Sequence, residues 1–306
     1  MAGASANLRR RGRSLMLALI SAVFAFYVAG PVYWLVKTSL EPEALVTAVP
    51  PTLLPQSPSS ANFAAILHSN DEVTYANRRT ADVATGNFVP SNARNLLPSL
   101  WNSVVVGVSV AFLNIMLSAT AAYAIAMIKF RGRNVALYSI LVSRVIPDIA
   151  LIVPLFLLMR SLGLLDTRSG LVMTYLAVTV PFTTFILLNY FRSIPVDLYK
   201  AARIDGCSHL AVLRHVYLPL AMPAIVASLM FAFLTSWNEF LFALILTKTI
   251  QSQVLPIVIS SFVLDFTTNF SFVNAAGVLA IVPPVILAIL FERYIVSGLT
   301  AGAVKG

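Results

Sequence analysis

A single cysteine, Cys207, is all the thiol chemistry in this chain, so an internal disulfide and any cysteine-cluster metal site are excluded. The three histidines, His68, His209 and His215, stand apart, none of them in an HExxH setting, so no zinc signature is present. There is no GxxxxGK[ST] phosphate loop, no GxSxG elbow and no intramembrane pair of aspartates suited to proteolysis. A catalytic residue is therefore not expected. Charge is scarce as well, at 11% of 306 residues, where a soluble domain carries about 25%.

What fills the space is apolar: 58% of the residues are hydrophobic, which makes the chain an integral membrane protein on composition alone. The net charge of +9 is spread in short clusters between apolar runs. That distribution fits the positive-inside rule of membrane proteins and not a nucleic-acid-binding surface.

In chain order, a basic tail (residues 1–13, with Arg9, Arg10, Arg11 and Arg13) precedes an uncharged run, Ser14 to Val36. The run is too long for a signal-peptide core and is read as an uncleaved first span, within 14–37. Residues 38–98 hold Pro42, Pro50, Pro51, Pro55 and Pro58 and the polar run His68 to Arg94, and are expected to form a loop-rich extramembrane segment. Ala61 to Leu67 is expected to be a short helix inside it. Five further spans are predicted within a core of residues 99–297: 102–128, 135–159, 171–190, 218–247 and 266–291. Small residues in the second half of the second span (Ser118, Ala119, Ala121, Ala122) allow close helix contact. The fold class is thus all-α with six transmembrane helices, closed by a tail at 298–306.

An even number of spans places both termini on one side. Thirteen of the 21 Lys and Arg fall on that side, seven fall on the other, and Arg144 lies within a span. Both termini and the polar segment 193–223 are therefore assigned to the cytoplasm.

That segment is the long polar interruption of the second half. Pro195 suits a helix start, Gly206 a left-handed C-terminal cap, and Ser208 the N-cap of a second helix ending near Pro219. Leu198, Ala201, Ala202 and Asp205 share one small, apolar-centred face that suits docking into a cleft of another protein. Within the spans, Arg144 and Asp148 stand four residues apart and are read as an ion pair in preference to a solute contact. Trp237, Asn238, Glu239 and Phe240 offer the ring faces, amide and carboxylate that sugar recognition uses; packing of Trp237 and satisfaction of Glu239 by a neighbouring helix is an equal reading.

The run Leu198 to Gly206 with Leu218-Pro219 resembles the EAA loop of ABC importer permeases, and more narrowly that of the maltose-type carbohydrate permeases. Ser236 to Ala243, Ala122-Tyr123-Ala124, Leu162 to Thr167 and Gly298 to Gly306 are similar to runs of the same family. The resemblance implies a type I importer fold in a bacterial inner membrane. It also implies that Ala201, Ala202, Asp205, Gly206, Leu218 and Pro219 form coupling helices seated on an ATPase. Lys200 departs from the family, which usually has Glu there, and Cys207 stands where Ala is usual. The implied partners are a second homologous permease, an ATPase dimer that binds the ATP and Mg, and an extracytoplasmic solute-binding protein. No cofactor is implied in this chain itself. The implied function is import of a sugar, oligosaccharide or polyol. Another small polar solute, or an ion-coupled secondary transporter, is the alternative.

Overall fold

The computed structural model describes residues 2–68, 89–90, 92–143, 145–263 and 268–303, with side chains described for 14–68, 89–90, 92–143, 145–263 and 268–294. Among the described residues all regular structure is helical. In order these are α1 (Ala2–Ser39), α2 (Glu43–Val46), α3 (Ala61–Leu67), a 3-10 turn (Ala93–Asn95), α4 (Leu96–Met127), α5 (Arg133–Ser143), α6 (Asp148–Ser161), α7 (Arg168–Ser193), α8 (Val196–Ile204) and α9 (His209–Val212). A π-helical turn (Leu213–Tyr217) leads to α10 (Leu218–Leu220), α11 (Met222–Trp237), α12 (Leu241–Leu246), α13 (Leu255–Phe262) and α14 (Phe270–Ala303).

Four segments are long and apolar enough to cross a bilayer unaided: Ser14–Ser39, Ala93–Met127, Arg168–Ser193 and Phe270–Tyr294. Two further helix pairs reach that length and apolarity only together and are bent, α5 with α6 at 108° and His209–Leu220 with α11 at 85°, so the crossings number six when each pair is one span. Proline explains both positions. Pro147 is the extended N-cap of α6, and Pro223 enters α11 in its first turn, where a missing N–H is harmless. The continuous runs expected over 135–159 and 218–247 are therefore each divided. The second of these differs further: α11 stops at Trp237, and the rest of the expected span is the separate six-residue α12. Helix α13 was not expected; its apolar run is short and follows a polar turn.

The chain divides into two compact units, residues 1–94 with 262–279 and residues 95–261 with 280–306. In the first, α3 forms over the expected residues. The chain leaving α1 is folded around a buried ion pair, Lys37 Nζ to Glu41 Oε2 at 2.6 Å. Lys37 also donates to Thr52 Oγ1 (3.0 Å), and Glu41 Oε1 accepts from the Gln56 N–H (3.0 Å). Buried charges persist only when paired and hydrogen-bonded in this way. Much of the polar run His68 to Arg94 lies outside the described residues.

In the second unit α4, α7 and α11 are the centre. Gly107 of α4 lets the Phe233 ring of α11 approach so closely that a Cβ there would sit 2.9 Å from it. Asn114 Nδ2 donates to Thr179 Oγ1 across α4 and α7 at 2.8 Å, both side chains buried. The small residues Ser118, Ala119 and Ala122 are buried in α4, as their pattern predicts.

Candidate functional site

The segment after α7 is built as two short capped helices. α8 ends in a left-handed glycine: Gly206 has φ +82°, its N–H donates to the Arg203 carbonyl (3.2 Å), and the Cys207 N–H donates to the Ala202 carbonyl (3.0 Å). This is the paired closure of a Schellman cap. The α9 N-cap is Ser208, whose Oγ accepts from the Ala211 N–H at 3.2 Å. Arg203 bridges back to the Cys207 carbonyl at 2.6 Å.

The four residues expected on one docking face are split by the fold. Leu198, Ala201 and Asp205 are exposed, whereas Ala202 is turned into the bundle with Tyr123, Leu187 and Phe191. Leu218 is half-buried against the same cluster, and Pro219 is exposed. Lys200 is exposed and pairs with Asp197 at 2.9 Å, so its charge is met one turn earlier on the same helix. Ile204, 85% exposed, and Leu210, 69% exposed, belong to the apolar surface of this segment, and sequence reading had not singled them out.

The inward side of the segment is aromatic. The His209 ring stacks on Tyr199 with centroids 6.2 Å apart and stands edge-on to Tyr123 of α4 at 6.3 Å. Tyr123 and Tyr217 meet edge to face at 5.3 Å, as do Phe191 and Tyr217 at 5.5 Å. Tyr217 reaches this cluster from the π-helical turn and donates to Met127 Sδ at 2.9 Å. A push on α8 or α9 therefore meets α4 and α7 through packed rings.

A second cluster lies inside the second unit. A cavity of about 40 Å³ is lined by Asp148, Tyr175, Val178, Thr179, Thr235, Ser236, Glu239 and Phe242. It shares Asp148 and Val178 with a vestibule of about 440 Å³ lined also by Ser143, Ile146, Pro147, Leu151, Leu155, Ala177 and Pro181. Of the residues expected along the solute path, Asp148 and Glu239 meet here. Glu239 accepts the Phe242 N–H (2.9 Å) and the Ala243 N–H (3.2 Å), which fixes it as the start of α12. Trp237 is buried and stacks on Phe233 at 5.4 Å, and Asn238 returns its amide to the Leu234 carbonyl of α11 (2.9 Å). Neither lines the cavity. Arg144 lies outside the described residues. Tyr175, 2% exposed, is a lining residue that sequence reading missed; its only signal was a hydroxyl within an apolar span.

Asp166, between α6 and α7, clasps the loop after α12. Its N–H donates to the Leu246 carbonyl (2.8 Å), and its Oδ1 accepts from the N–H groups of Lys248 (2.8 Å) and Thr249 (3.0 Å) and from the Ser252 hydroxyl. Burial opposes its charge, but these donors outweigh it and hold the carboxyl down from 3.8 to about 2. Asn102 supports the same loop, donating to the Ile250 and Gln253 carbonyls at 2.8 Å each. Among the described residues no group of three His, Cys, Asp or Glu converges to hold a metal.

The chain matches the family "Binding-protein-dependent transport system inner membrane component" over residues 114–300. It is 33% identical over 276 residues to the sulfoquinovosyl glycerol transport permease SmoH of Agrobacterium fabrum, covering 90% of this chain and 88% of the relative. It is 31% identical to the trehalose transport permease SugB of Mycobacterium tuberculosis, covering 96% and 98%. It is 38% identical to the trehalose/maltose transport permease MalG of Thermococcus litoralis, covering 68% and 75%. In fold it is similar to a chain of a bacterial ABC transporter that imports alginate, with TM-score 0.75 at 24% identity, covering 93% of this chain and 97% of that one. With its helices, its twin-capped loop and a family match across more than half its length, the chain belongs to the inner-membrane components of binding-protein-dependent transport systems, the permeases of ABC importers.

Proposed function

We propose that this permease imports a carbohydrate, whether sugar, oligosaccharide or polyol, by alternating access driven by a partner ATPase. The observation that carries the reading is the segment 193–223. One side presents exposed Leu198, Ala201, Ile204 and Leu210, and the other is locked by rings to α4 and α7. An apolar surface on a helix pair that is rigidly joined to the bundle suits a docked motor protein. In this reading Lys200, Ala201, Asp205, Gly206 and Pro219 face or shape that contact, while Ala202 and Leu218 anchor it from within.

Carbohydrate as the solute is supported by the transport systems of relatives that align over most of the chain, named for sulfoquinovosyl glycerol, trehalose and maltose. Glu239 and Asp148 are the path residues supported by position; Trp237 and Asn238 act through packing and capping. By charge bias the termini and 193–223 are cytoplasmic. The ATPase dimer would bind the ATP and Mg, and a second homologous permease and an extracytoplasmic binding protein would complete the importer. Residues 99–297 would be its permease core.

The test is to tag the C-terminus, extract in mild detergent and identify co-purifying chains by mass spectrometry. An ATPase and a second multi-span permease are expected. A stable monomer or homodimer would instead favour an ion-coupled transporter working alone.

A further inference from the structure

We propose that Tyr175, Glu239 and Asp148 form a hydroxyl-binding subsite through which this subunit itself touches a polyhydroxylated solute. The inference rests on the carbohydrate reading above and adds to it the contact. Its starting point is a buried donor left unspent. Tyr175 Oη is inaccessible to solvent, lies close enough to Glu239 to feel its charge, and makes no hydrogen bond of ordinary geometry. A buried hydroxyl without a partner is costly unless a water or ligand meets it.

The other buried hydroxyls of the lining are already used. Thr179 Oγ1 donates to the Tyr175 carbonyl (2.7 Å) and accepts from Asn114, and Ser236 Oγ donates to the Phe233 carbonyl (2.9 Å). Glu239 is oriented by its two backbone N–H donors, and a carboxylate has about four acceptor sites, so acceptor capacity remains. One donor and one oriented acceptor facing one small space are the complement of a single hydroxyl group.

The two volumes assign the rest. The inner cavity, about 40 Å³, holds one water-sized group. The vestibule, about 440 Å³, falls within the range of small-molecule sites. A sugar ring standing in the vestibule would pass one hydroxyl by Asp148 into the inner cavity, donating to Glu239 and accepting from Tyr175.

The experiment uses the whole co-purified importer in proteoliposomes with its binding protein, measuring uptake of radiolabelled mono- and disaccharides. Tyr175→Phe, which removes one oxygen, is expected to raise the transport KM about tenfold while kcat changes less than threefold. Tyr138→Phe, an exposed tyrosine of α5, serves as the control with unchanged uptake. A wild-type importer that takes up a sugar with the same KM in Tyr175→Phe overturns the subsite and leaves the carbohydrate reading standing. So does a kcat that falls as far as KM rises, with a lowered melting point. A wild type that takes up no sugar at all overturns the reading beneath it.

Discussion

Asp166 accepts the backbone N–H of Lys248 at 2.8 Å, tying the turn between α6 and α7 to the loop that follows α12. The same carboxylate oxygen also takes the Thr249 N–H and the Ser252 hydroxyl, so one charge closes one end of α12 while Glu239 closes the other. Asp166 achieves this from a left-handed backbone at φ 58°, a conformation Asp tolerates better than most residues.

Asp166→Ala should lower the melting midpoint of the detergent-solubilised importer, because it leaves two N–H groups and a hydroxyl seeking water; about 1–3 kcal/mol is expected. The wild-type contribution should depend on pH in a set direction. The folded carboxyl is depressed from 3.8 to about 2, so its stabilisation is full above about pH 4 and is lost as pH falls through about 2. Melting curves from pH 6 to pH 2 check this; a difference between wild type and Asp166→Ala that does not shrink toward low pH would refute the assignment.

Gly206→Ala and Gly206→Pro should separate strain from disruption. A Cβ at Gly206 meets nothing within 4 Å, so alanine costs only the left-handed backbone, about 1 kcal/mol, and should retain transport-linked ATP hydrolysis. Proline removes the N–H that closes the cap on Arg203 and forbids φ +82°, and should abolish that hydrolysis with the protein still inserted. Unchanged hydrolysis in Gly206→Pro would sink the coupling role of α8.

Asn114 and Thr179 should be energetically coupled. A double-mutant cycle of Asn114→Ala with Thr179→Val, read by unfolding in mixed micelles, should return about 0.6 kcal/mol, the usual size of an interhelical hydrogen bond in membrane proteins. A coupling within error of zero would mean that the close approach of α4 and α7 does not depend on this hydrogen bond.

Lys200→Ala should leave importer assembly intact and change stimulated ATP hydrolysis less than threefold, because an exposed pair such as Lys200 with Asp197 contributes little. Lys200→Glu sets a second carboxylate beside Asp197 and should show the larger change, diminishing with added salt. Titrating ATP hydrolysis against salt for both variants decides it; equal behaviour of the two would show that charge at this position is irrelevant to docking.

Local chemistry was written plainly in the chain. Gly206 caps through its left-handed backbone and Ser208 through its hydroxyl, as their residue types favour, and α3 covers the residues expected of it. Features that depend on which way a helix turns were not. Ala201 and Ala202 are indistinguishable in sequence, yet one is exposed and the other buried, because the approach of Tyr123 and Phe191 sets the rotation of α8. Trp237 and Asn238 have the chemistry of sugar recognition, but Phe233 and the end of α11 take them up first.

The sequence by itself determined that the chain crosses a membrane and where its polar interruption lies, since apolar run length needs no partner to be read. Only the tertiary structure decided that the run expected over 218–247 breaks between Trp237 and Leu241, that Asp166 clasps the following loop, and that Tyr175, Glu239 and Asp148 share one cavity. Those facts depend on backbone N–H groups and side chains from different helices meeting in space, and hydrophobic periodicity carries no record of such meetings.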